Sequence, residues 1–314
     1  MNISGVKVLN SVRSNKKSMG TPAMDAATPS SARILGEAAE CLISLYGEQL
    51  PSLSVERLVV GVFFTGVKLS NGCGGVAYTP PETIRRASTR ILKGRLPNYH
   101  GMKVAQVLSC DLPGPFADII RLATLNALSV PFLETERYTV TSGDDLSSLA
   151  QLFVGKRICM VGAIIPLLRR LNELGVAEIA IVDRKTETKE EAGLGNFVPV
   201  EETEEALSRC QTAVFTGASI ANGSIETLLG YVPDDAAVAV VGPTAAFIPE
   251  PLFRRKVAMI GTAVVTDSDR AIEILSEGGG AYQLFGSCVR KINLINVERI
   301  LQLQNQRTSY QHGE

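Results

Sequence analysis

The feature that most constrains this chain is a rhythm that sets in after Thr141-Ser142-Gly143-Asp144-Asp145. Short apolar runs at Arg157 to Gly162, Glu178 to Asp183, Thr212 to Thr216, Ala237 to Val241 and Lys256 to Ile260 read as strands. Helical patterns fill the intervals at Ile164 to Leu174, Glu202 to Cys210, Ser224 to Leu229 and Pro249 to Arg254, and Ser268 to Glu277 follows the fifth strand. A strand buried on both faces reads as a continuous apolar run, and parallel neighbours need a crossover between them. Strict alternation of this kind predicts a parallel sheet with helices on both faces.

The first half has a different texture. Apolar positions recur at helical spacing from Ser31 to Leu45. Leu58 to Phe64 is an apolar, β-branched run, and Asn71-Gly72 then leads into Val76-Ala77-Tyr78, the pattern of a hairpin with a two-residue turn. Thr79-Pro80-Pro81-Glu82 ends that strand and opens a helix through Leu92, closed by Gly94. After the breakers Asp111, Pro113, Gly114 and Pro115, a further helix spans Phe116 to Leu128. The expected fold is α/β, with an α+β domain over 31–140 and a parallel-sheet domain over 141–314. Residues 1–30 read as a mobile tail.

Charge and cysteine usage narrow the partners. With 31 basic and 32 acidic side chains the net charge is −1, which offers no basic field for nucleic acid or an anionic membrane. The longest apolar stretches, such as Val257 to Val265, fall far short of the roughly 20 residues that span a bilayer. No secretory signal is recognisable, so the expected location is the cytoplasm, with reduced thiols. The six cysteines stand no closer than 32 positions apart, so no Cys-x-x-Cys pair exists. His100 and His312 are the only histidines, which excludes a multi-histidine metal site.

In an open parallel sheet, ligands bind at the carboxyl ends of the strands. The first such loop, Val161-Gly162-Ala163-Ile164-Ile165-Pro166, lacks G-x-G-x-x-G, which argues against NAD or FAD held in the usual manner. Asp183 nevertheless stands 21 positions after Gly162, where an acidic residue commonly bonds ribose hydroxyls; it reads equally as a solvated strand end beside Arg184 and Lys185. The third loop carries Thr216, Gly217, Ser219 and Asn222, and its amides at a helix start suit an anion, with simple capping by Asn222 or Ser224 as the plainer reading. Gly217 to Ala221 also approximates a nucleophile elbow, but neither histidine is placed to serve it. Gly242, Pro243 and Thr244 follow the fourth strand. Gly278, Gly279 and Gly280 exceed what one helix stop needs, so they read either as a loop folded over a ligand or as a flexible connector. In Leu69 to Pro80 a thiol, Cys73, sits among glycines as either packing filler or a metal contact.

Several of these motifs, in this order, resemble one family. Thr262-Ala263-Val264-Val265-Thr266-Asp267, Ser276 to Gly280, Val289-Arg290-Lys291-Ile292-Asn293, Val241 to Thr244 and Asn222-Gly223-Ser224 look like the "putative heavy-metal chelation" family. Gly75 to Pro80 and Leu125-Asn126-Ala127-Leu128-Ser129 are similar to its companion domain. The resemblance runs from about 31 to 297 and implies an enolase-N-terminal-like domain joined to a Rossmann-like domain, with a shared cleft as the site.

Three functions follow as expectations. In the first, the cleft binds a small anionic or metal-chelating molecule: the hairpin loop at 70–75 meets the loops at 216–224, 242–245 and 278–280, and Cys73 or Asp183 contacts the metal or a polar group. In the second, an enzyme binds a nucleoside cofactor such as S-adenosylmethionine, with Asp183 on the ribose. In the third, the glycines merely make turns in a scaffold. A homodimer through one domain would suit any of them.

Overall fold

The computed structural model describes residues 31–91, 98–109, 112, 114–145, 147–184 and 193–311. The expected tail, the Gly94 helix stop, Asp111, Pro113, Lys185 and His312 lie outside them. The first part of the chain runs α1 (Ser31–Tyr46), β1 (Val55–Val60), β2 (Phe64–Leu69), β3 (Gly74–Tyr78), α2 (Pro81–Ile91), α3 (Val104–Leu108) and α4 (Ala117–Leu133). β1, β2 and β3 form an antiparallel sheet in that order.

The apolar run expected as one strand, Leu58 to Phe64, is therefore divided between two, because the chain turns at Gly61, whose amide donates to the Phe64 carbonyl. The β2–β3 turn is longer than the two residues expected. The Leu69 amide donates to the Cys73 carbonyl, so Ser70, Asn71 and Gly72 form the loop, and Gly72 takes the left-handed φ of +84°. A three-residue loop ending in a left-handed glycine is the next commonest solution for a hairpin.

α4 lies across β2 and β3 and is buried on nearly all sides. Contact is closest at Gly75, where an added Cβ would stand 2.2 Å from the Ala123 carbonyl oxygen and 2.3 Å from the Ala127 nitrogen. Only a residue without a side chain lets the helix backbone rest on the strand there.

The second part holds β4 (Thr139–Ser142), β5 (Arg157–Val161), α5 (Ile165–Glu173), β6 (Glu178–Val182), β7 (Asn196–Val198), α6 (Thr203–Ser208), β8 (Thr212–Thr216), α7 (Ala218–Ala221), α8 (Ile225–Tyr231) and β9 (Ala237–Val241). It continues through α9 (Glu250–Phe253), β10 (Val257–Val265), α10 (Ser268–Ser276), α11 (Ala281–Phe285), β11 (Val289–Ile295) and α12 (Val297–Gln311). The sheet order is β4-β11-β10-β9-β8-β5-β6-β7. β7 to β10 are mutually parallel in this order, as the alternation predicts, but β11 runs antiparallel to both β10 and β4. The sheet is thus mixed rather than wholly parallel.

Successive residues of the central strands serve opposite cores. Ile158, Met160, Val214 and Ala239 face one cluster with α5 and α12, while Cys159, Ala213, Phe215 and Val240 face the other. That second cluster continues without a break into α1 and α4, so one face of the large sheet shares its core with the first half of the chain.

Polar groups stitch the same seam. The Asn126 side-chain amide donates to the Val76 carbonyl at 2.7 Å and the Thr244 carbonyl at 3.0 Å, and the Tyr78 amide donates to Thr244 Oγ1 at 3.0 Å. Ser129 Oγ accepts from the Ile248 amide at 3.0 Å. Gly75→Ala is expected to lower stability by roughly 2 kcal/mol or more, read as a fall in the urea midpoint at unchanged slope; an unchanged midpoint would show that α4 can lift off the strand.

Candidate functional site

Strand order reverses between β5 and β8: from β5 the chain builds outward through β6 and β7, and from β8 it builds the other way through β9 and β10. Such a switch point splays the strand-end loops apart and leaves a crevice at the carboxyl ends. A cavity of about 520 Å³ occupies this place. Its walls come from both halves of the chain. The end of β3 and start of α2 supply Tyr78 and Glu82, and the ends of β5, β6 and β8 supply Gly162, Asp183 and Thr216.

Gly162 holds φ at +86°, and a Cβ there would stand 2.4 Å from Thr216 Oγ1. Both the backbone and the space demand glycine. The next amide, Ala163 N–H, donates to Asp183 Oδ2 at 2.6 Å. Asp183 thus ties the end of β6 to the first turn beyond β5 while lining the cavity.

Ser219 and Asn222 line the opposite wall. The Ser219 hydroxyl donates to the Thr216 carbonyl at 2.7 Å, and Asn222 Oδ1 accepts from both the amide and the hydroxyl of Ser224, at 3.0 and 2.8 Å. This is an Asx turn ahead of α8, whose N-cap residue, Ser224, makes no side-chain capping bond. Of the loop amides expected to face an anion, that of Gly217 is taken by the Val241 carbonyl at 2.8 Å, and α7 is a single turn.

Gly242, Pro243 and Thr244 lie behind the cavity and brace it. The Gly242 amide donates to the Gly261 carbonyl, Thr262 Oγ1 donates to the Gly242 carbonyl at 3.0 Å, and buried Thr244 receives the Tyr78 amide. Gly217 packs directly on Thr244, with its notional Cβ 2.9 Å from the Thr244 Cβ.

Two expected contributors stand elsewhere. Gly278 and Gly279 border a separate open hollow with Arg270 and Tyr282. Each glycine has a local task. The Gly279 amide reaches back to the Ile274 carbonyl and the Gly278 amide to the Leu275 carbonyl, which is a Schellman stop for α10 with Gly278 at φ +81°, while Gly280 precedes α11. The hairpin tip lies against the start of α10, where Ser268 Oγ donates to the Gly72 carbonyl at 2.9 Å, while β3 delivers Tyr78, at its other end, to the cavity. Cys73 is half-buried beside Ser268 and Tyr46, and burial raises its thiol pKa. Among the described residues no group of three or more His, Cys, Asp and Glu side chains could hold a metal ion, so Cys73 has no such companions.

Tyr78 and Glu82 were not singled out from the sequence. Burial raises the Tyr78 phenol above its ordinary pKa, and the negative charges of Glu82 and then Asp183 add to the effect. The two carboxylates therefore bear on one phenol across the seam. Arg184 lines the same cavity, so the two carboxylates face it together with one guanidinium.

Comparison with known proteins agrees with this architecture. The family model DUF364, described as "Putative heavy-metal chelation", matches residues 145–294, and DUF4213, with the same description, matches residues 43–129. The chain belongs to this family. Two of its members with solved structures and no known function are similar in fold. One, from Pyrococcus horikoshii, has 19% identity and a TM-score of 0.63 over 83% of this chain and 99% of its own. The other, from Desulfitobacterium hafniense, has 20% identity and a TM-score of 0.61 over 84% of this chain and 99% of its own. No curated protein matches. The DUF364 match begins just after β4 and the DUF4213 match ends within α4, so the cavity is lined from both matched regions.

Gly162→Ala is expected to lower the melting temperature through both the left-handed φ and the overlap with Thr216, together about 1 to 3 kcal/mol. Gly162→Ala with Thr216→Ala should recover part of that loss but not the backbone share; full additivity of the two changes in a double-mutant cycle would show that the residues do not press on one another.

Proposed function

We propose that the crevice at the switch point binds a small molecule carrying a metal cation, with Tyr78, Glu82 and Asp183 facing the cation. The observation that carries this reading is the convergence of two carboxylates, one from each half of the chain, on a single phenol beside a cavity of about 520 Å³. Phenol and carboxylate oxygens suit hard cations, and one Asp183 oxygen is already engaged by the Ala163 amide. The protein thus supplies too few donors for a complete coordination sphere, and the small molecule provides the rest. The hydroxyl and amide groups of Thr216, Ser219 and Asn222 on the far wall suit the polar periphery of such a chelate. The family description supports a metal-related ligand.

The nucleoside reading keeps one specific observation in its favour, the place of Asp183 at the end of β6 on the cavity wall. Against it, the Asp183 carboxylate holds the Ala163 amide at 2.6 Å, so the loop that would approach a phosphate is tied to the group that would bind ribose.

Calorimetric titration with ferric citrate, Mn2+ and S-adenosylmethionine separates these readings. A saturable signal with ferric citrate, weakened at least about tenfold in Glu82→Gln and in Asp183→Asn, is the expected result. Heat with S-adenosylmethionine alone, lost in Asp183→Asn, would favour the nucleoside, and no saturable binding of any of the three would leave the scaffold.

A further inference from the structure

The end of β6 borders two spaces at once. β6 and β7 run in parallel register, with Ile181 opposite Phe197 and Val182 opposite Val198. Beyond that last pair both strands end, β6 continuing into Asp183 and Arg184 and β7 into Pro199 and Val200. A hollow of about 440 Å³ lies here, with Phe197, Val198, Pro199 and Val200 as its apolar wall. Asp183, Arg184 and Val200 line this hollow and also the crevice of about 520 Å³, so the two spaces adjoin where β6 ends.

The charged side chains that line the crevice are Glu82, Asp183 and Arg184, and none of them pairs with another. Glu82 reaches Arg85, three residues further along α2, at 3.5 Å, and one Asp183 oxygen accepts from the Ala163 amide. Among the described residues no hydrogen bond or ion pair holds the Arg184 guanidinium, although Asp183 and Glu201 border the same hollow. A guanidinium is a planar fork of donors that takes an oxyanion through two parallel bonds. Carboxylates and an uncommitted guanidinium in one crevice suit a ligand that carries both signs of charge. From this pattern we infer that the chelating molecule bears a free carboxylate beyond its metal-binding group, and that Arg184 grips that carboxylate where the two spaces meet. The ligand class is therefore an anionic polycarboxylate chelate, with its carbon skeleton against the apolar wall of the second hollow. A phosphate arm would satisfy the same fork, but that wall offers apolar side chains to the carbon chain a carboxylate brings with it. The inference rests on the reading of the crevice as a chelate site, and adds to it the group that selects the chelator.

The test reads the sign of a change. The full chain and its Arg184→Gln variant are titrated calorimetrically with Mn2+, ferric citrate and ferric pyrophosphate. Arg184→Gln removes a positive charge from beside the two carboxylates, so Mn2+ is expected to bind the variant as tightly as the parent or more tightly. Ferric citrate is expected to bind the variant about tenfold or more weakly. Arg184→Lys keeps the charge without the fork and should recover part of the citrate affinity. Weakening of Mn2+ and ferric citrate alike in Arg184→Gln would show a damaged crevice and overturn the role of the guanidinium. Ferric pyrophosphate binding the parent as tightly as ferric citrate, and lost in Arg184→Gln, would overturn the carboxylate in favour of phosphate. Unchanged ferric citrate affinity in Arg184→Gln, with loss in Glu82→Gln and Asp183→Asn, would overturn this inference and leave the chelate reading standing. No ferric citrate binding to the parent would overturn both.

Discussion

One buried side-chain amide governs how the two halves of this molecule meet. Asn126 projects from the most enclosed helix, α4, and its nitrogen donates both to β3 and to the loop after β9. Because Thr244 also takes the amide of Tyr78, the end of the small sheet and the end of the large one are fixed to each other by directional bonds and not by apolar contact alone. In a low-dielectric interior such bonds are strong, and any slip leaves buried carbonyls unpaired. The crevice inherits its shape from this knot, since Tyr78 is at once a partner in it and a wall of the cavity.

The same arrangement explains why the strand-end loops look richer in ligand-binding potential than they are. A glycine or hydroxyl at a strand end can serve a ligand or serve the fold, and here many serve the fold. The Gly217 amide, the Gly242 backbone and the three glycines after α10 are all committed to neighbouring backbone or packing. What remains for chemistry lies where the two halves face each other, and it consists mainly of oxygen atoms.

Much of the architecture could be read from the sequence because it rests on local signals. Ala237 to Val240 and Ala213 to Phe215 are buried on both faces, so apolar continuity announced them. β11 was harder to see, because Arg290 and Lys291 occupy its exposed start, and β4 and β7 are short and half-exposed. Their existence depends on neighbours brought from elsewhere in the chain. Site residues divide in the same way. Gly162, Asp183 and Thr216 could be found because strand ends carry a general rule about ligands, whereas Tyr78 and Glu82 acquire meaning only when β3 is laid against the large sheet. The expectation for Cys73 failed to gather partners for the converse reason: a thiol in a glycine-rich turn looks exceptional in one dimension, yet the turn lies at the far end of its strand from the crevice.

The pairing of β4 with β11 carries a consequence for how the chain reaches this state. The first strand of the large sheet to leave the ribosome can find its hydrogen-bonding partner only after every other strand of that sheet has been made. Until then β10 presents an unpaired edge, the kind of surface on which chains join one another. That edge therefore stays open until β11 has been made, and β11 closes it by running against the direction of its parallel neighbours.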